Sequence, residues 1–188
     1  RADGPLWAWG GNASGQVGDG TTVGRTSPVQ VGSATTWKTV DAGGYHTLAT
    51  RTDGTAWAWG LNSRNQVGDG TTTNRTSPVQ VGSATTWRTI GAGRLHTFGL
   101  RTDGTAWGWG YNASGQLGDG TTTTRAVPTQ VGPVHDWKLV SIGFRHTLGI
   151  RVDGTLWARG GNARGELGYV TTLPRTVQDQ IGSGATCT

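Results

Sequence analysis

Bulky apolar residues alternate with small ones in short runs along this chain, and the runs return every 50 residues. The unit is clearest at 53–72, DGTAWAWGLNSRNQVGDGTT. It recurs at 3–22 and 103–122, and in eroded form at 153–172. A period of about 40–50 residues marks a propeller or solenoid unit. Each unit holds four short segments with strand-like alternation and strand lengths. The first is a Trp strand, Leu6–Gly10 or Ala56–Gly60. The second is PVQV at Pro28–Val31 and Pro78–Val81, looser at Pro128–Val131. The third is Trp37–Val40, matched by Trp87–Ile90 and Trp137–Val140. The fourth is His46–Arg51, matched by His96–Arg101 and His146–Arg151. No segment keeps a helical period over three turns, so the chain reads as all-β.

Between the fourth strand and the next Trp strand stands Thr-Asp-Gly-Thr or its variant, at Asp53-Gly54, Asp103-Gly104 and Asp153-Gly154. Asp-Gly between alternating segments predicts a two-residue type I′ hairpin turn. Within the Trp strand, Trp57 and Trp59 are two apart and share a face, while Ala58 faces the other way. Trp7 and Trp9, and Trp107 and Trp109, repeat this arrangement. A blade with one bulky and one small face nests against its neighbour, which is how radial stacking buries both faces.

The predicted fold is a β-propeller-type array of four-stranded antiparallel blades in one domain, 1–182, made of units 1–50, 51–100, 101–150 and 151–182. A tail follows at 183–188. Three whole blades span 36–82, 86–132 and 136–182, and 1–32 is half a blade. About three and a half blades imply a partial or open propeller, or one completed by another chain. The last unit keeps Trp157 but has Arg159 at the second Trp position, Tyr169 and Val170 in the loop, and Gln178 for Pro. Terminal repeats are atypical in this way. Arg1 aligns with Arg51, Arg101 and Arg151, so the chain opens inside a repeat. With no initiator Met, this predicts a processed or excised chain.

Composition adds weight to Trp. The chain has 34 Gly, 10 Trp, no Met and one Cys, so indoles must supply much of the core, at about 150–250 Å² each. No run reaches the roughly 18 apolar residues of a membrane span, and the residues after Arg1 carry no signal-peptide pattern. The net charge of +5 comes from 14 Arg and 2 Lys against 11 acids. That permits nucleic acid as a partner without favouring it. Most of the Arg is periodic (Arg25, Arg75, Arg125 and Arg175, and the Arg1 series), which predicts scaffold pairing with loop Asp or carbonyls. Cys187 has no partner for an internal disulfide.

The motifs resemble those of the regulator-of-chromosome-condensation repeat family. Its Trp-Gly-x-Asn-x-x-Gly-Gln-Leu-Gly core stands here at Trp109–Gly118, and its Gly-x-x-His-Thr strand at Gly143–Thr147. The resemblance covers essentially the whole chain and implies a β-propeller, commonly of seven blades. Members include a nucleotide exchange factor on chromatin, a plant UV-B photoreceptor and secreted bacterial β-lactamase inhibitors. The photoreceptor's Trp is Phe144 here, with Arg94 and Gly44 in the other units, which speaks against light sensing. No insertion interrupts the period to supply the exchange factor's wedge. Near-identical units biased to Arg and Thr look most like the bacterial secreted or surface members, so the expected location is extracellular or at a bacterial cell surface.

Several constellations invite chemistry. His46, His96 and His146 fall one per blade, and three imidazoles on one axis would suit zinc. Each hydrogen-bonding within its own blade is the favoured alternative, so neither metal nor cofactor is expected. The loop Gly18-Asp19-Gly20-Thr21-Thr22 has one acid, too few for calcium, and no following helix for a dinucleotide. It reads instead as an Asx-type turn with Arg25 close by. Asn12, Asn74 and Asn112 sit in Asn-x-Ser/Thr sequons that fall out of the repeat. No nucleophile–base pair stands out, and Glu166 is the only Glu. Neither an enzyme nor a small-molecule substrate is expected.

What varies is the surface: Gly11/Leu61/Tyr111/Gly161, Ser14/Arg64/Ser114/Arg164, and the pairs Gly44-Tyr45, Arg94-Leu95 and Phe144-Arg145. Aromatic residues and Arg are typical of binding hot spots. Tyr45, Arg94, Leu95, Tyr111, Phe144 and Arg145 are the expected contact face of a non-catalytic protein-binding or scaffold module. Self-assembly of the chain is the alternative, and a basic nucleic-acid-binding module a further one.

Overall fold

The computed structural model describes residues 4–182; Arg1, Cys187 and the predicted tail lie outside them. Every regular element among the described residues is a strand. A two-stranded half blade holds β1 (Trp7–Gly10) and β2 (Arg25–Gln30). Three four-stranded antiparallel sheets follow. The first holds β3 (Trp37–Ala42), β4 (His46–Arg51), β5 (Ala56–Gly60) and β6 (Arg75–Gln80). The second holds β7 (Trp87–Ala92), β8 (His96–Arg101), β9 (Ala106–Gly110) and β10 (Arg125–Gln130). The third holds β11 (Trp137–Ile142), β12 (His146–Arg151), β13 (Leu156–Gly160) and β14 (Arg175–Gln180). The all-β blade array read from the sequence is therefore the fold, an open or partial propeller. Within each sheet the strands pair in chain order, and β7 lies against both β3 and β11.

Two strand boundaries differ from expectation for a physical reason. The PVQV strand begins at Arg25, Arg75 or Arg125 rather than at Pro. Its pairing with the Trp strand is interrupted between Ala58 and Gly60, opposite Thr76–Pro78. Pro78 cannot donate to a ladder and tolerates an outer strand. Across this gap Thr76 O accepts the N–H of Gly20 at 2.8 Å, from the loop of the preceding half blade. The Trp37-type strand runs on to Ala42, paired with Thr47.

The Asp-Gly turn also differs from the type I′ prediction. Arg51 N–H donates to Thr55 O and Gly54 N–H to Arg51 O, both at 3.0 Å, and Gly54 has φ 78° while Asp53 is not at positive φ. This is a three-residue loop, a type I turn closed by a left-handed Gly. Asp53 Oδ1 stabilises it by accepting Thr55 N–H (2.9 Å) and Oγ1–H (2.6 Å). Asp103-Gly104 and Asp153-Gly154 repeat the geometry.

The seams between blades are the core. Trp37, Trp59 and Ala49 pack on Val31, Leu6 and Ala8 of the half blade. Leu48, Ala56 and Ala58, on the other side of the same sheet, meet Trp87, Trp109 and Ile90 of the next. Phe98, Leu100 and Ala106 then meet Trp137. A bulky face thus nests on a small one at every seam. Burying one indole is worth about 4–6 kcal/mol gross. Trp59 and Trp109 are fully buried, whereas Trp7 and Trp9 are 49% and 63% exposed.

In the second periodic Arg series only Arg151 reaches a loop carboxylate among the described residues, Asp136 at 3.6 Å. Arg51, Arg101 and Arg151 lie over Trp57, Trp107 and Trp157 at 3.7, 3.6 and 3.7 Å, and against Trp37, Trp87 and Trp137 on the other side. Between two indoles the guanidinium plane gains cation–π attraction that no single carboxylate would supply.

Candidate functional site

The end of the array that carries the β3–β4 type hairpins and the long β5–β6 type loops is held rigidly. In the long loop, Asp19 Oδ2 accepts from Arg25 Nε at 2.6 Å and Asp19 Oδ1 from Thr21 N–H at 3.0 Å. Burial opposes ionisation of Asp19, but the bonds from Thr21 and Arg25 outweigh it and hold the carboxyl at about 2. Asp69–Arg75 and Asp119–Arg125 repeat the pair at 2.6 Å. The Asx reading of this loop therefore stands. In the last unit Tyr169 replaces the Asp, and Arg175 turns to Asp179 at 3.3 Å.

A buried Asn organises each loop. Asn62 Nδ2 donates to Asp69 Oδ1 (3.0 Å), Thr71 O (2.8 Å) and Thr73 O (3.1 Å), while its Oδ1 accepts Val67 N–H (3.0 Å). Asn12 and Asn112 do the same at 2% and 0% exposure. The sequons at these two positions are therefore closed to glycosylation, because the amide is consumed inside the fold. Asn74 remains exposed.

His46 and His96 correct another expectation, since they bond between blades rather than within one. His46 Nε2 lies 3.0 Å from Thr97 Oγ1, and Thr97 donates its own hydroxyl proton to Gln66 O at 2.7 Å. The imidazole must then be the donor, so the Nε2–H tautomer is present. Nδ1, buried and without a partner, has no acceptor for a second proton. His96, Thr147 and Gln116 repeat the relay at 3.3 and 2.9 Å. Burial pushes His46 down to about 4; His96, buried and near cationic neighbours, falls to about 3. Each ring lies under the hairpin Gly: a Cβ at Gly43 would stand 2.9 Å from His46 Cε1 and 2.5 Å from Gly93 O. Among the described residues no group of three or more His, Cys, Asp or Glu is placed to hold a metal.

On this frame the varying positions converge. Arg94 stacks over Phe144 at 4.5 Å and over Tyr45 at 5.9 Å, and Arg145 lies 5.8 Å from the Phe144 ring. The hairpins that carry them surround a depression of about 400 Å³. Tyr111 is joined to this group by its N–H to Leu95 O (2.9 Å), and Arg64 stacks on its ring at 5.4 Å. Leu95 is half-buried and contributes chiefly its carbonyl. A cleft of about 590 Å³ continues from Phe144 and Arg145 past Ser114 and Gly161 to Arg164 and Pro174. Tyr45 and Phe144 are 43% and 56% exposed.

All six predicted contact residues thus lie along one end of the array. Arg64 and Arg164, which the predicted contact set omitted, belong to the same face. Their signal in the sequence was the varying position shared with Ser14 and Ser114. Among the described residues the guanidinium groups of Arg64, Arg94, Arg145 and Arg164 have no hydrogen-bonded carboxylate or carbonyl, unlike Arg25, Arg75 and Arg125.

Comparison with solved structures supports the fold. Human WBSCR16 superposes with a TM-score of 0.85 at 24% identity, over 96% of this chain and 49% of that one. Prp20p of Saccharomyces cerevisiae gives 0.87 at 22%, over 97% and 47%. Yeast RCC1 (Prp20) bound to Kap60 gives 0.85 at 23%, over 97% and 46%. The chain therefore spans about half the length of these structures. No curated protein sequence matches it. The model of the regulator of chromosome condensation (RCC1) repeat matches residues 3–50, 53–100 and 103–150, and a second RCC1 repeat model matches 37–66, 87–116 and 137–166. With three consecutive repeats matched over most of its length and blades to correspond, the chain belongs to the RCC1 repeat family.

Proposed function

We propose that the chain is a non-catalytic protein-binding or scaffold module whose contact surface is the loop end carrying Tyr45, Arg94, Leu95, Tyr111, Phe144 and Arg145. One observation carries this reading: positions that vary between otherwise copied units converge there, with exposed rings and arginines that lack an acid. Aromatic and Arg residues on a rigid frame bind at low ordering cost. The RCC1-like neighbours bear on it too, since Prp20p is described by its binding to Gsp1p and histones, and yeast RCC1 by its complex with Kap60. The near-identical, Thr- and Arg-biased repeats support a place outside a bacterial cell, which fractionation of the source cells checks.

The test is affinity capture from the source organism with wild type and the Phe144→Ala/Arg145→Ala variant. Both side chains are exposed, so melting should coincide while a specific protein is lost from the variant. Identical capture by the two proteins would sink the reading.

A second reading, self-assembly, rests on exposed Trp7 and Trp9 and on β1, which among the described residues pairs with β2 alone. Unpaired strand edges invite pairing with another chain. Native mass across a concentration series distinguishes the two, because a monomer at every concentration removes self-assembly.

A further inference from the structure

We propose that the loop face takes an acidic protein segment with an apolar anchor residue, a refinement that rests on the protein-binding reading above. The argument is one of charge and shape. Arg64, Arg94, Arg145 and Arg164 lie along this end, and among the described residues none of their guanidinium groups is hydrogen-bonded to a carboxylate. The acids of the long loops are already committed: Asp19, Asp69 and Asp119 each hold a scaffold Arg. Asp41, near the hairpins, caps Ala92 N–H at 2.8 Å. Glu166 accepts the backbone N–H of Arg164 at 2.8 Å. Exposed Arg64, Arg145 and Arg164, with half-buried Arg94 stacked between rings, therefore offer guanidinium donors that no carboxylate holds, a donor set that matches carboxylates in bidentate fashion.

The shape selects among acidic ligands. Between Arg145 and Arg164 the cleft of about 590 Å³ is lined by Phe144, Gly161, Ala163 and Pro174, and also by the exposed carboxylate of Glu166; its size and its apolar wall suit one large apolar side chain. Carboxylates on either side of that anchor would reach the two forks. Nucleic acid fits less well. Binding of single strands needs ring faces free for bases, whereas Arg94 already occupies the rings of Tyr45 and Phe144. Lys38 and Lys138, at the starts of β3 and β11, lie toward the opposite end. A basic stripe that could track a phosphate backbone is therefore not continued.

The experiment selects a random-peptide display library on the wild-type chain, with counter-selection on Arg145→Ala/Arg164→Ala. Both residues are exposed, and circular dichroism checks the fold of the variant. Enriched peptides should carry several Asp or Glu around one large apolar residue. Each arginine removed should weaken a synthetic copy of an enriched peptide about tenfold. Replacing the peptide acids by Gln or Asn should weaken it comparably. Enrichment of neutral or basic peptides that still depend on the face overturns the acidic proposal and leaves protein binding standing. No face-dependent enrichment overturns both. The same chain is titrated with a 20-nucleotide oligothymidylate. Tight, salt-steep binding lost in the variant assigns the face to nucleic acid and overturns the proposal, and weak, variant-independent binding supports it.

Discussion

Acidification from about pH 7.5 to about 4.5 puts His46 and His96 at odds with their surroundings, and the structure gives the size of the conflict. In the unfolded chain an imidazole titrates near 6.5; in the fold, burial lowers His46 to about 4 and His96 to about 3. A folded-state value below the unfolded one means that the unfolded chain binds more protons throughout the interval. Stability is therefore lost as pH falls from 6.5 toward the folded values. At pH 4.5 each imidazole costs between about 2 and 3 kcal/mol, and the pair about 5 kcal/mol, against a total stability of about 5–15 kcal/mol for an ordinary domain. Protonation also adds a donor at Nδ1, which has no acceptor in the fold. The carboxylate pairs act later, since Asp19, held at about 2, loses its contribution only as pH drops below 3.8.

The assay is urea unfolding followed by Trp fluorescence across this pH range. The comparison is His46→Gln/His96→Gln, whose amide N–H can still donate to Thr97 and Thr147. The wild-type midpoint should fall steeply below pH 6.5, and the double variant should be nearly flat to pH 4.5. An equally steep fall in the double variant would refute the assignment of the acid sensitivity to these rings.

Three further outcomes follow from packing and pairing. Arg159, 2% exposed and pushed down to about 9 by burial, stands where Trp59 and Trp109 stack; Arg159→Trp should raise stability by about 1–3 kcal/mol in thermal melts, and an unchanged or lower Tm counts against it. Asp69→Ala removes the acceptor of Arg75, Asn62 and Thr71, and should cost about 2–4 kcal/mol in urea midpoints; a loss below about 1 kcal/mol would show the loop frame to be dispensable. Arg101→Ala opens the gap between Trp87 and Trp107 and should cost about 1–2 kcal/mol, whereas Arg94→Ala on the loop face should fall within about 0.5 kcal/mol of wild type; equal losses would erase the distinction between frame and face.

The strands and the Asp19–Arg25 pair were legible because each lies within one unit, and the nesting of Trp on Ala because the period-2 pattern shows one bulky and one small face on each Trp strand. The His relay was not, and the reason is the repeat itself. With a 50-residue period, Thr47 and Thr97 are the same residue type in the same context, so sequence cannot say which of them His46 meets. The structure chooses Thr97 because the seam brings β4 against the next blade. The Asp53-Gly54 turn was misjudged because two- and three-residue hairpins share the Asp-Gly signature and differ only in whether Asp takes a positive φ. The contact face was partly legible. Variation between units marked positions 44–45, 94–95, 111 and 144–145, but only three dimensions place Arg64 against Tyr111 and Ser114 beside Gly161.

The charge of the chain divides along the same line. Periodic positions carry eight Arg (Arg1, Arg25, Arg51, Arg75, Arg101, Arg125, Arg151 and Arg175) and seven Asp (Asp3, Asp19, Asp53, Asp69, Asp103, Asp119 and Asp153), which nearly cancel. The other positions hold six Arg and two Lys against Asp41, Asp136, Asp179 and Glu166. Most of the net +5 therefore comes from outside the repeat. Of those six arginines, Arg88 is consumed by Trp137 O and Lys138 O, and Arg159 is buried in a seam, which leaves the four on the loop face. A frame whose charges cancel internally lets the exposed arginines change without cost to the fold. Substitutions at the periodic arginines should therefore lower stability, while those at Arg64, Arg94, Arg145 and Arg164 should alter partner binding and its salt dependence.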